Sequence, residues 1–378
     1  MRLSGWVQAD AVAWSEDSFD EIDPTTGDPL NQERFLIRRG RIRAEGERGS
    51  LFAAMELDGN TIDGPEARIL AAQVGWRRSQ VEVVAGLFRT PFGFEVTMAE
   101  RDKWFLEPPA FARAFFPGNY DGGVMVRGAY GVGRFVIAAT NGVPVADAQW
   151  HGRDPADSID LVGRAGAVVE LPYRARVELG VSALMGRGFS PGAPPTKESF
   201  EWVDDNQNGI IDNVTELRVV PGTPGTPSQT FERRGVGGDV QVHWCLCALG
   251  TGLAYAEVAL GTNLDRGLIY ADPIRASREL RHLGFQVGVV QNVTEHAQVG
   301  VRYDRYAADR DASERLGLEL VGTEPVFSAL SVMASARRGD ARLVVQYDHE
   351  RNPFGRDTSG VPTTRSADRL MFRAQAGF

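Results

Sequence analysis

Among 378 residues the sequence holds two lysines, Lys103 and Lys197, and two cysteines, Cys245 and Cys247. Lysine and arginine together number 41, so 39 of the basic residues are arginine, and 50 carboxylates leave a net charge of −9. That acidic balance argues against a broad basic face for nucleic acid. Two cysteines spaced two apart in an extended chain cannot form an ordinary bridge, and they are too few for a disulfide framework. No run of 18 apolar residues occurs, which excludes a membrane protein of the helical type. HExxH, GxSxG and P-loop patterns are missing and the five histidines form no catalytic constellation, so no enzyme is expected. Met1, Arg2, Leu3, Ser4 and Gly5 form neither a charged leader start nor an apolar stretch. A secretory leader is therefore absent or already removed.

What is present is glycine, 43 residues or about 11% against a typical ~7%, and hydrophobicity that alternates with period two. Residues 3–14 place Leu3, Val7, Ala9, Ala11 and Ala13 on one face and Ser4, Gln8 and Asp10 on the other. Residues 35–47 place Arg39, Arg41, Arg43, Glu45 and Glu47 opposite Leu36, Gly40, Ile42, Ala44 and Gly46. Comparable stretches fall at 51–58, 66–76, 80–88, 123–130, 133–141, 159–170, 174–186, 235–247, 252–261, 282–292, 297–306, 326–336, 341–350 and 368–378. Sixteen strands result, most of them near the ~9–11 residues that a tilted strand needs to cross a bilayer.

The connections give an independent test. Short turns at 48–50, 77–78, 131–132, 171–173, 248–250, 293–295 and 337–339 alternate with longer loops at 15–34, 59–65, 89–122, 142–158, 187–234, 262–281, 307–325 and 351–367. A soluble carbohydrate-binding sandwich has no reason to keep that alternation, whereas an outer-membrane barrel puts short turns on one side and long loops on the other. In lipid every backbone N–H and C=O must be paired, so the sheet has to close. The sequence thus predicts an all-β chain, one domain over 1–378: a sixteen-stranded antiparallel transmembrane β-barrel. Its last strand alternates Leu370, Phe372, Ala374, Ala376 and Phe378 outward. A terminal phenylalanine of that kind resembles the assembly signal of bacterial outer-membrane barrels.

The segments FLIRRGRIRAEG (35–46), VEVVAGLFRTPFGFE (81–95), AERDKWFLEP (99–108), DGGVMVRG (121–128) and GRFVIAATNG (133–142) resemble the phosphate-selective porin O and P family, with a looser likeness at the C-terminal strand. The resemblance implies a usually trimeric barrel whose third long loop folds inward and narrows the pore, and a bacterial outer-membrane location. Loop 89–122 is the matching constriction loop. Its Pro91, Gly93, Pro108, Pro109 and Pro117 prevent continuation of helix or strand, and its phenylalanines with Trp104 offer apolar bodies to the barrel wall.

Arg89, Arg101, Lys103 and Arg113 are the basic groups of that loop and the candidates for an anion-attracting eyelet, among Glu95, Glu100, Asp102 and Glu107. The lumen phase of the strands carries Arg39, Arg41, Arg43, Arg127, Arg134, Arg164, Arg176, Arg302, Arg342 and Arg373. A ladder of guanidiniums offers bidentate sites to phosphate or carboxylate. Equally, these arginines can pair with Glu45, Glu47, Asp160, Glu170, Glu178 and Asp348 and brace the barrel.

Asp204, Asn206, Asn208, Ile210 through its carbonyl, and Asp212 have the oxygen spacing of a calcium loop, with Gly209 at the turn position. The twelfth position is Thr215, and Glu216 comes one place late. This motif lies in the longest loop, 187–234, where calcium would order an external segment. His243, Cys245 and Cys247 share a strand face but lack a fourth partner for a metal. No cofactor is required. Acidic residues of an external loop, Asp17, Asp20, Glu21, Asp23 and Asp28, account for part of the negative charge. The expected function is a passive channel for small hydrophilic solutes with a preference for anions, phosphate among them. Its partners would be those solutes, outer-membrane lipid and two further copies of the chain. The competing expectation is a structural barrel that scaffolds a partner protein.

Overall fold

A computed structural model describes residues 1–15, 31–62, 64–147, 155–204, 206, 208–210, 212, 214–246, 250–316, 319–356 and 362–378. The acidic residues 17–28 and Cys247 lie outside the described residues. The first half supplies β1 (Arg2–Trp14), β2 (Arg34–Arg48), β3 (Leu51–Asn60), β4 (Glu66–Arg78), β5 (Val81–Arg89), β6 (Tyr120–Tyr130), β7 (Gly133–Thr140), β8 (Asp160–Leu171) and β9 (Ala175–Ser190). The second half supplies β10 (Ser199–Trp202), β11 (Leu217–Val220), β12 (Gln229–Leu246), β13 (Gly250–Thr262), β14 (Arg281–Asn292), β15 (Ala297–Ala307), β16 (Ser313–Leu316), β17 (Glu319–Gly322), β18 (Val326–Arg338), β19 (Ala341–Arg356) and β20 (Pro362–Gly377). Pairs β10–β11 and β16–β17 are small hairpins within long loops; the other sixteen strands form one closed antiparallel barrel.

All sixteen expected strands are present, each within six residues of its expected limits, the largest differences being the long-loop ends of β12, β19 and β20. The two loop hairpins were not expected, because their four-residue strands are too short to display a period. No helix among the described residues is long and apolar enough to cross a membrane. Period two governs the wall. In β20, Leu370 and Phe372 are exposed on the outside, while Met371, Arg373 and Gln375 are buried on the inside.

Closure occurs between β1 and β20, where Trp6 stands opposite Gly377. Phe378 N donates to Gly5 O at 2.9 Å and Gly5 N to Phe378 O at 3.2 Å, which extends the seam to the last residue. The Phe378 ring occupies the space beside Gly5: a Cβ there would sit 2.5 Å from its Cζ. The terminal aromatic and a glycine are thus fitted to each other across the seam.

One facing assignment is corrected. Leu36 was expected on the lipid face with Ile42, but it is buried, while Phe35 and Ile37 are exposed. The register of β1 against β2 shifts between Gln8 and Ala9, which pair with Arg39 and Ile37 and leave Arg38 as the extra residue. A bulge of one residue inverts every side chain beyond it.

Two loops enter the barrel. In loop 89–122 the prolines bound short helices instead of excluding them: α1 (Phe94–Thr97) and α2 (Ala110–Phe115), the latter beginning directly after Pro109. Loop 263–280, with the one-turn α3 (Pro273–Ala276), folds against α2. Arg266 N and Gly267 N both donate to Ala114 O, at 2.8 and 3.1 Å. Phe92, Phe111, Phe115, Phe116, Leu264, Tyr306 and Phe327 form one buried cluster at this junction. The apolar core of the molecule therefore lies inside the barrel under the long loops, while the wall turns its apolar side outward.

Candidate pore constriction

The inward loop is fastened to the wall by its backbone. Ser182 Oγ accepts Gly93 N at 3.0 Å, and the Glu257 carboxylate accepts the N–H groups of Phe94 and Glu95 at 2.8 and 3.1 Å. Gly93 has φ +66°, and a Cβ there would fall 2.1 Å from Glu257 Oε1, so only glycine fits this approach. Further on, Gln346 Oε1 accepts Leu106 N at 2.7 Å and Asp304 Oδ1 accepts Ala110 N at 3.1 Å. Arg302 donates to Glu107 O at 2.8 Å, and Arg342 donates to Lys103 O and Trp104 O at 2.7 and 3.2 Å. With Arg373, which donates to Leu106 O at 3.4 Å, three of the expected wall arginines thus hold loop carbonyls.

The loop's own basic groups divide by environment. Lys103 is buried between Glu95 at 2.9 Å and Glu100 at 3.0 Å. Burial alone would depress its amine, but Glu100 and Glu95 outweigh it and push the pKa above the ordinary value. Glu100 is opposed by burial in the same way, yet Lys103, Arg39 and Arg89 hold it well below the usual carboxylate range. Arg89 donates to Thr97 O at 3.3 Å and to Tyr120 Oη at 2.7 Å. Arg101 bridges to Asp340 at 2.8 Å and remains about a third exposed. Arg113 forms no ion pair among the described residues, and its Nε is buried without a hydrogen-bond partner.

Most wall arginines are paired. Arg39 meets Glu100 at 2.9 Å, Arg41 meets Asp58 at 3.0 Å, and Arg43 lies between Glu45 at 2.6 Å and Glu56 at 3.2 Å. Arg164 grips Asp239 with two nitrogens, Arg176 meets Glu178 at 2.8 Å, and Arg373 meets Asp10 at 2.6 Å. Arg302 also faces Asp304 at 3.4 Å. Arg127 shares Glu82 with Arg77, whereas Arg134 is exposed. Of the two sequence readings of the ladder, the pairing geometry follows bracing for most members.

Cavities nonetheless remain on the short-turn side of the loop. One of about 680 Å³ is lined by Arg77, Arg127, Arg134, Arg164, Glu82 and Glu178, with Phe94 and Thr97 of the loop at its edge. Another of about 410 Å³ is lined by Arg41, Arg43, Arg89, Arg101, Glu56 and Glu100. Arg127 and Thr97 belong to both. Guanidiniums outnumber carboxylates on each wall.

Four further structural arginines were missed from the sequence, of which Arg369 alone carried a signal, the lumen phase it shares with Arg373. Arg38 pairs with Glu107, Arg233 with Asp160 at 2.7 Å, Arg266 with Asp147 at 3.3 Å and Arg369 with Asp348 at 2.8 Å. Arg38 was invisible because the bulge that turns it inward leaves no trace in the alternation. Arg233 lay in a segment read as loop, although β12 begins at Gln229.

In the calcium-like segment, Asp204 accepts Asn208 N and Gly209 N at 3.0 and 2.8 Å, and Asn208 Oδ1 accepts Ile210 N at 2.7 Å. Glu216 is buried and turns its carboxylate back onto the N–H groups of Asn206 and Asp212, at 3.3 and 3.1 Å. His243 and Cys245 are half-buried on the wall, with His243 3.5 Å from Glu178. No group of three His, Cys, Asp or Glu side chains placed to hold a metal occurs among the described residues.

No protein-family model matches the chain, so membership of the phosphate-selective porins is not shown, and no curated protein matches it by sequence. Solved structures do match over its whole length. The outer-membrane channel DcaP of Acinetobacter baumannii is 11% identical with a TM-score of 0.58 and 96% of its chain covered. An anion-selective porin from Comamonas acidovorans is 10% identical with a TM-score of 0.56 and 99% covered. OmpT of Vibrio cholerae, an outer-membrane protein in its trimer form, is 9% identical with a TM-score of 0.55 and 98% covered. The chain therefore has the fold of outer-membrane porins.

Proposed function

We propose that this barrel is a passive diffusion channel of the bacterial outer membrane for small hydrophilic solutes, narrowed by loop 89–122 and preferring anions. The observation that carries the reading is the 680 Å³ lumenal cavity, where Arg77, Arg127, Arg134 and Arg164 face Glu82 and Glu178. Selectivity follows the charges along the solute path and not the net charge of the chain. Phosphate is proposed among the solutes, because paired guanidiniums suit its oxygens. Assembly as a homotrimer is proposed on the likeness to OmpT in its trimer form. The chain is taken to have no enzymatic role.

Planar-bilayer recording in a salt gradient tests the reading. Conductance with an anion-directed reversal potential is the expected result. No conductance sinks the channel, and cation selectivity sinks the anion preference alone.

A second reading, a barrel that scaffolds a partner, is favoured by one observation: two loops pack together through the buried cluster of Phe111, Phe115, Leu264 and Tyr306 inside the long-loop half of the barrel. It predicts a non-conducting barrel that co-purifies with a partner after detergent extraction. For segment 204–216 we propose an external calcium loop built from Asp204, Asn206, Asn208, Ile210 and Asp212. Calcium-dependent protection of loop 187–234 from protease is expected, and identical cleavage with chelator counts against it.

A further inference from the structure

On the outer face, one row of directly opposed residues crosses the sheet from β8 to β20. Ala165 stands opposite Val181, and beyond Gly238 the row continues through Val258 to Phe285. It then changes character: Phe285 is opposite Arg305, Arg305 opposite Ser328, and Ser328 opposite Arg351. The apolar part lines a groove of about 790 Å³ on the lipid side, together with the adjoining row that ends in Val287. Because strands tilt in a barrel, such a row also climbs. Ala165 is six positions from the turn-side end of β8, whereas Arg351 is ten from that of β19. Ten residues at ~3.3 Å and ~45° tilt rise about 23 Å, close to the ~25 Å height of an outer-membrane apolar band. The groove thus lies within the acyl layer; Arg351 emerges at the headgroup level on the long-loop side, and Arg305, eight positions from the turn-side end of β15 or about 19 Å up, lies just below it with a side chain long enough to reach that level.

Arg351 is exposed and forms no ion pair among the described residues. Arg305 gives one nitrogen to Glu324 at 3.1 Å, which leaves other donors of its fork free. The acid on the adjoining row, Asp368, is taken up by His349 at 2.7 Å. Flanking one strand on both sides, Arg305 and Arg351 have Cα atoms about 10 Å apart, with the Ser328 hydroxyl between them.

We propose that this row is a docking site for a doubly phosphorylated, acylated lipid of the outer leaflet, the lipid A class. Its phosphates lie on Arg305 and Arg351 and an acyl chain lies in the groove toward Ala165. Charge complementarity at one end and apolarity at the other commit the site to a lipid instead of a second protein chain. The inference rests on the outer-membrane reading but not on conduction.

The test is native mass spectrometry of the detergent-extracted full chain, offered bisphosphorylated lipid A or, separately, phosphatidylglycerol. Wild type is expected to keep lipid A at least ten-fold better than the R305Q/R351Q variant, whose folding is checked by heat-modifiable gel mobility. G238L, which fills the groove and leaves the arginines intact, is expected to weaken retention as well. R48Q/R78Q, at the opposite rim, is expected to retain lipid A like wild type. Undiminished retention by R305Q/R351Q, equal retention of phosphatidylglycerol by wild type, or loss in R48Q/R78Q overturns the site. Conductance of the same samples reports separately on the channel.

Discussion

The guanidinium of Arg38, the extra residue of the β2 bulge, lies against the carboxylate of Glu107 in the inward loop, and both are largely withdrawn from water. Burial opposes ionisation of Glu107, but Arg38, Arg369 and Arg113 outweigh it and hold its pKa at about 2. A carboxylate with a depressed folded value contributes stability above its ordinary value near 4.5 and loses it as pH falls through about 2. A shift of this size corresponds to about 3 kcal/mol. The loop is therefore expected to loosen between pH 4.5 and 2, read as rising current noise in single-channel records. R38Q should move that onset to higher pH.

Gly93 is fixed by its positive φ and by the Glu257 carboxylate in the space a Cβ would occupy. G93A should cost ~1–3 kcal/mol through strain and collision, and it should displace α1 from the wall. Altered unitary conductance with normal folding is the expected signature. An unchanged conductance would show that α1 does not border the solute path.

Arg134 and Arg233 make opposite predictions. Arg134 is exposed in the cavity, so R134E should shift the reversal potential toward cations with little effect on thermal stability. Arg233 is buried with Asp160, so R233A leaves an uncompensated carboxylate and should cost ~3–5 kcal/mol. Its selectivity should stay that of wild type wherever folded barrel is recovered.

The fit of Phe378 against Gly5 places the closing seam under direct test. G5L forces the ring away, and removal of Phe378 deletes two backbone hydrogen bonds. Both variants should give less heat-modifiable folded barrel, with G5L the more severe. Equal yield from both would separate the terminal residue from closure.

Sixteen strands and the single closed sheet were legible in the sequence because lipid on one side and a polar lumen on the other impose period two residue by residue, as Leu370 to Gln375 record. Loop 89–122 was expected to fold inward on the family resemblance, and its aromatic content fitted that role. Its fastening was not legible, because the acceptors, Glu257, Gln346 and Asp304, sit on strands roughly 160 to 240 residues away. The facing of Leu36 and Arg38 was hidden for a similar reason: a bulge is a relation between two strands and leaves the local pattern intact. Composition determined that arginine would be the cation of this barrel. Which arginines meet a carboxylate, a loop carbonyl or open lumen depends on neighbours that only closure brings together, so the tertiary structure alone decided which of them can face a solute.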